Sequence, residues 1–170
     1  MALKEKRALI HVEHGFPPFV RPESTILILG SFPSVKSREQ AFFYGHPQNR
    51  FWPMISAVFG DECGDSVPQR MAFLQRNCIA LYDVIESCDI VGSSDASIRN
   101  IEPARINEII EGTKVQRILL NGKKAGALFE RHILPSLKGG LEHRVMPSTS
   151  PANAATSLDQ LILAYKEAII

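Results

Sequence analysis

The run Phe-Phe-Tyr-Gly-His-Pro-Gln-Asn-Arg-Phe-Trp, residues 42–52, gathers five aromatic rings, a histidine, an asparagine and an arginine around a glycine and a proline. It holds too many breakers for a core helix and too many rings for a plain solvated loop. Phe51 and Trp52 read as core anchors for the helix that follows, because large rings are seldom left in water. Phe43 and Tyr44, placed just before Gly45, are better sited to line a pocket. Aromatic faces stack on planar rings, and a nucleobase, flipped from a duplex or free, is such a ring. Asn121, at the head of Asn-Gly-Lys-Lys-Ala-Gly (121–126), offers a donor and an acceptor together, as reading a base edge requires. Pro-Ser-Thr-Ser-Pro-Ala-Asn-Ala (147–154) brings small hydroxyls and amides ahead of a helix. Ser150 or Asn153 would cap that helix, and the same free N–H groups could also hold an anion.

Other chemistries lack their signatures. The segment Gly-Ser-Phe-Pro-Ser-Val (30–35) does not carry the Gly-x-Gly-x-x-Gly of dinucleotide binding. A P-loop needs an upstream Gly and a hydroxyl after Lys123, so residues 121–126 read first as a tight turn into a helix. A Gly-x-Ser-x-Gly elbow is missing, which argues against a hydrolase of that class. His-Val-Glu-His (11–14) has no third ligand nearby and reads as surface histidines rather than a metal site. Cysteines 63, 78 and 88 are odd in number and unpaired in spacing, and so are expected as reduced thiols. No metal or cofactor is expected. Met-Ala-Leu-Lys-Glu-Lys-Arg-Ala-Leu-Ile-His-Val (1–12) has no apolar core of signal-peptide length, and no segment approaches a membrane span. A cytoplasmic protein is expected.

The elements that must position these residues alternate along the chain. Apolar strand-like runs are expected at 24–31, 78–85, 114–122 and 142–148, and helices at 50–60, 67–77, 102–112, 123–133 and 152–169. Strands too apolar to be half-exposed predict an α/β fold, a three-layer α/β/α sandwich around a central, mostly parallel four-stranded sheet. In such sheets ligands bind past the carboxyl ends of the strands, where the segments singled out above converge. The 170 residues predict one domain with no repeat or linker, and the net charge of +1 advertises no polyanion partner. A local patch, or neutral amides and hydroxyls, could still hold phosphates.

Gly30-Ser-Phe-Pro-Ser34 followed by His46-Pro-Gln-Asn-Arg-Phe-Trp52 resembles the uracil-DNA glycosylase superfamily, in particular its mismatch-specific branch. That branch carries a Gly-x-Asn-Pro-Gly strand end and, at the same ungapped distance, a His-Pro-x-Asn-Arg-Phe-Trp run. Residues 147–154 stand where the superfamily keeps its second motif, and the likeness runs in order from Gly30 to Ser150. Phe32 occupies the place of the Asn that orients water in the mismatch-specific branch. Leu-Tyr-Asp-Val-Ile-Glu-Ser-Cys (81–88), Val-Gly-Ser-Ser-Asp-Ala-Ser-Ile-Arg-Asn (91–100) and the retained Gly-Ser-Phe-Pro-Ser look like the hypoxanthine-DNA glycosylases of the same superfamily.

The resemblance implies a single domain over 1–170 and a monofunctional deamination-repair enzyme. Its partner would be DNA containing deaminated bases, with hypoxanthine (deoxyinosine) the expected target, and it would act as a monomer. Asn49 would position the attacking water, since Phe32 cannot. Phe32, Tyr44 and Asn121 would contact the base, Tyr44 by stacking. Ser34 and Ser148 would contact phosphates, and Thr149, Ser150 and the two residues after them would form the wedge that fills the vacated stack. Asp83 and Asp95 would either shape the purine pocket or cap turns. Two alternatives stay open, a uracil or thymine mismatch glycosylase and a non-catalytic nucleic-acid-binding domain of the same fold.

Overall fold

A computed structural model describes residues 8–170; residues 1–7, most of the stretch read for a leader, lie outside the described residues. In chain order the elements are β1 (Ile10–Glu13), β2 (Ile26–Gly30), α1 (Val35–Gln40), α2 (Phe51–Phe59), α3 (Val67–Arg76), β3 (Ile79–Asp83), β4 (Ile85–Ile90), β5 (Arg99–Pro103), α4 (Ile106–Ile110), β6 (Arg117–Asn121), α5 (Lys123–His132), β7 (Glu142–Met146) and α6 (Leu158–Ile169). The four apolar runs form one parallel sheet in the order β3-β2-β6-β7. Its register sets Gly30 opposite Asp83, Leu29 opposite Leu120 and Asn121 opposite Met146.

β2 and β3 are buried along their whole length, because helices cover the sheet. The chain leaves β2 toward β3 in one direction and reaches β6 in the other. Right-handed crossovers then put the α1–α3 connection on one face and α5 on the opposite face, which makes the three-layer α/β/α sandwich. α2 packs on α6, and α5 packs on β6 and β7. Met54, Ile55, Phe73, Phe129, Leu161 and Tyr165 close the core fully.

Four features depart from the sequence expectations. β7 is mostly exposed, because it is an edge strand whose Glu142, Arg144 and Val145 face solvent. A second, antiparallel sheet of order β1-β4-β5 flanks the first. Its strands are short and polar, and part of β5 lies where a helix was expected to start. α1 is a short helix without an apolar stripe, capped by the Ser34 hydroxyl and stopped by Ala41 in the left-handed region (φ 54). α6 begins at Leu158 rather than near residue 152, because Ser157 and Gln160 form a reciprocal capping box.

Candidate active site

The strand order reverses between β2 and β6, and the carboxyl ends of all four parallel strands open there onto one cavity of about 790 Å³. Phe32, Ser34, Tyr44, Asn49, Asn121, Ser148, Thr149 and Ser150 all line it, although they come from four separate segments. Gly122, at φ +104, turns the chain out of β6 so that α5 can start directly behind Asn121.

At the centre is a chain of three side chains. Asn121 donates from Nδ2 to the Thr149 hydroxyl (2.9 Å), and that hydroxyl donates to Asn49 Oδ1 (2.8 Å). The Thr149 backbone N–H returns to Asn121 Oδ1 (3.0 Å). Asn49 Oδ1 also accepts the Phe51 N–H, the first of α2, at 2.9 Å. An N–H can only donate, so this bond fixes which way the Asn49 amide points. With two donors already on Oδ1, Asn49 has Nδ2–H groups without a partner among the described residues, open to a ligand. Thr149 itself is 0% exposed. It braces the two amides and cannot belong to a surface wedge; Pro151 and Ala152 are the exposed residues there.

Tyr44 adopts the left-handed region (φ 53) and stacks on Phe51 with centroids 4.0 Å apart. Its residue is half-buried, while its Oη is buried and finds no hydrogen-bond partner among the described residues. The nearby Asn121 amide favours the ionised phenol, but by less than burial and Asp83 disfavour it. Burial, and then the Asp83 charge, push the Tyr44 phenol far above its ordinary value, so it stays protonated. Phe32 is half-buried at the rim, under the Arg38 guanidinium (5.5 Å to the ring centroid). Ring and cation together offer no group that could activate water.

The 148–156 loop is drawn onto the site by Arg50. Its guanidinium donates to the carbonyls of Ser150 (3.0 Å), Asn153 (2.9 Å) and Thr156, and its backbone N–H donates to Thr149 O (3.0 Å). Ser148 and Ser150 accept backbone N–H groups of Ser150 and Ala152, and each hydroxyl proton remains uncommitted among the described residues. Ser150 and Asn153 therefore shape the loop and do not cap α6. Ser34 is committed more fully, since its hydroxyl accepts from Ser37 N and donates to Ser37 Oγ (both 3.1 Å).

Two carboxylates face the cavity. Asp83 caps no turn; it lies 2.7 Å from His14 Nε2, with both side chains buried. Asp95 sits on the opposite lip, exposed, with Ser31 Oγ at 3.5 Å. Crowding by the walls raises its carboxyl against the pull of Lys124. Among the described residues no cluster of three or more His, Cys, Asp or Glu could hold a metal.

The family model for the uracil DNA glycosylase superfamily matches residues 17–170. The chain belongs to that superfamily. A "Hypoxanthine DNA glycosylase" of Methanosarcina acetivorans is 35% identical over 145 residues, covering 84% of this chain and 89% of that protein. A protein of the same name from Methanosarcina barkeri is 32% identical over 143 residues, covering 83% and 88%. The solution NMR structure of a Methanosarcina acetivorans protein assigned to the uracil DNA glycosylases superposes with a TM-score of 0.76. It is 29% identical and covers 93% of this chain and 98% of that one.

Within this superfamily fold, three site features were not foreseen from the sequence. His14 is buried, whereas both histidines of 11–14 were expected at the surface; only His11 is exposed there, between Asp89 and Glu13 (2.9 Å each). Arg50 stood in the motif without an assigned role. The resemblance placed Thr149 in the wedge, and a hydroxyl between two serines carries no sign of burial. The signal for His14 was available in Phe16 and Phe19, apolar rings that must pull the segment inward.

Proposed function

We propose that the protein is a monofunctional DNA glycosylase that flips a deaminated base, chiefly hypoxanthine, into the cavity and hydrolyses its N-glycosidic bond. The observation that carries this reading is the Asn49–Thr149–Asn121 chain at the floor of a cavity large enough for a purine nucleoside. It agrees with the names of the two Methanosarcina relatives.

The reaction passes through an oxocarbenium-like sugar and a departing base that gathers negative charge. A purine stacked on Tyr44, itself backed by Phe51, is held with its edge toward Asn121. Asn121 keeps one N–H beyond its bond to Thr149 and can donate it to the base. Asn49 Nδ2–H donates to the water oxygen and holds it in place; an amide is no general base, so its contribution is position, and the proton that the water loses as its oxygen bonds C1′ passes to the departing base or to solvent. Misplacing a reactant that such a group holds can cost about a hundredfold in rate. The hydroxyls of Ser148 and Ser150 are available to phosphate oxygens, whereas the Ser34 proton is already given to Ser37 Oγ, and Pro151 and Ala152 form the wedge.

The roles assigned above call for no second copy of the chain and no cofactor. A cytoplasmic setting agrees with three free cysteines. No helix among the described residues is long and apolar enough to cross a membrane. The test uses labelled duplexes carrying one deoxyinosine, deoxyuridine or deoxyxanthosine, followed by alkaline cleavage of abasic sites. Cleavage of the deoxyinosine strand well ahead of the others is expected. Binding to every duplex with cleavage of none would establish the non-catalytic reading instead.

A further inference from the structure

His14 is pinned to β4 by its backbone N–H, which donates to Glu86 O at 2.8 Å. Its ring is 1% exposed and lies among rings, with Tyr82 at 4.3 Å and Phe16 at 4.4 Å between centroids. Nε2 is 2.7 Å from Asp83 Oδ2, while Nδ1 is buried without a partner. Asp83 ends β3 and is 5% exposed. A carboxylate this deep is costly unless its oxygens are engaged, yet only one of them has a partner. Oδ1 makes no hydrogen bond among the described residues and opens toward the cavity beside Gly30. A Cβ at Gly30 would stand 2.5 Å from this oxygen, so the glycine is what leaves it uncovered. The Tyr44 phenol, 3.6 Å from the same point, stays protonated and adds no second negative charge.

An ionised carboxylate only accepts. Deamination changes one ring nitrogen of a base from acceptor to donor: adenine N1 carries a lone pair, and hypoxanthine N1 carries a proton. We propose that Asp83, positioned by His14, is the group that reads this change, with Oδ1 accepting the hypoxanthine N1–H and repelling the lone pair of adenine N1. The assignment rests on the glycosylase reading above. It gives the buried dyad a role in specificity, separate from the water held at Asn49.

Single-turnover release of hypoxanthine from a deoxyinosine duplex is compared with release of the methylated base from the same duplex carrying 1-methyl-2′-deoxyinosine. The wild type should be slower on the methylated base by about tenfold or more, as losing a hydrogen bond to a charged group implies. Asp83→Asn should lose a similar factor on deoxyinosine and then discriminate between the two substrates by less than about threefold. If the methyl group acted by bulk alone, Asp83→Asn, which keeps the bulk, would retain the discrimination, and the assignment would be overturned. Equal release of both bases by the wild type would overturn it with no variant needed. His14→Ala should erase the same discrimination and His14→Gln restore it; a His14→Ala protein that discriminates like the wild type would remove His14 from the account. Failure of the wild type to release hypoxanthine at all would instead overturn the glycosylase reading itself.

Discussion

Thr149 carries no charge and touches no solvent, yet its hydroxyl joins two asparagines whose orientations the Phe51 and Thr149 backbone N–H groups fix. Thr149→Val keeps the shape and removes that hydroxyl, leaving a donor on half-buried Asn121 and an acceptor on half-buried Asn49 each short of a partner. Stability should fall by about 1–3 kcal/mol. Base release should slow as well, because Asn49 is then held only by the Phe51 N–H. A denaturation midpoint and a single-turnover rate check both, and an unchanged midpoint would contradict the bracing role. The identities of the pocket residues were legible in the sequence, because Asn121 ends a strand, Asn49 stands just before a helix and Tyr44 lies in a loop too rich in rings to be merely solvated. Their partners were not legible. The Asn49–Thr149 bond joins residues 100 positions apart, and the His14–Asp83 bond joins residues 69 apart. Local pattern carries no trace of either.

At the level of elements, the site depends on a loop that forms neither helix nor strand and is fastened by Arg50. Three carbonyls converge on one planar fork, which a lysine cannot match. Arg50→Lys should therefore speed amide exchange of the loop at 150–156 by about tenfold or more, leaving β2 and β6 as protected as before. Equal protection of the loop in both proteins would show that something else fastens it. The parallel sheet was readable because β2, β3 and β6 are continuous apolar runs of strand length ended by Gly or turn residues. The antiparallel sheet was not, because Ile-His-Val-Glu and Arg-Asn-Ile-Glu-Pro mix charge with short apolar spacing and gain their order only by pairing with β4. The start of α6 was misplaced because Ser150, Asn153 and Ser157 are all competent caps, and the choice among them was made by Arg50 drawing the first two into the loop.

Across the whole molecule, the chain's three tyrosines are all held protonated. Burial raises Tyr44, Tyr82 and Tyr165, helped by Asp83 at the first and by Glu86 at the second. A phenol whose value is raised in the fold stabilises it fully below the ordinary value of 10 and loses that contribution as pH rises above it. The native protein should show little phenolate absorbance at pH values where free tyrosine ionises, and all three should appear together when it unfolds. A smooth titration of three phenols near the ordinary value, with the fold intact, would contradict this. The central claim concerns Asn49, and it is tested most directly by single-turnover release of hypoxanthine from a deoxyinosine duplex by wild type and Asn49→Ala side by side. The variant should lose about a hundredfold or more in rate. Losing its bonds to the Phe51 N–H and the buried Thr149 hydroxyl should cost about 1–3 kcal/mol of stability, and circular dichroism checks that the protein is still folded. Release at the wild-type rate by a folded Asn49→Ala protein would contradict the account.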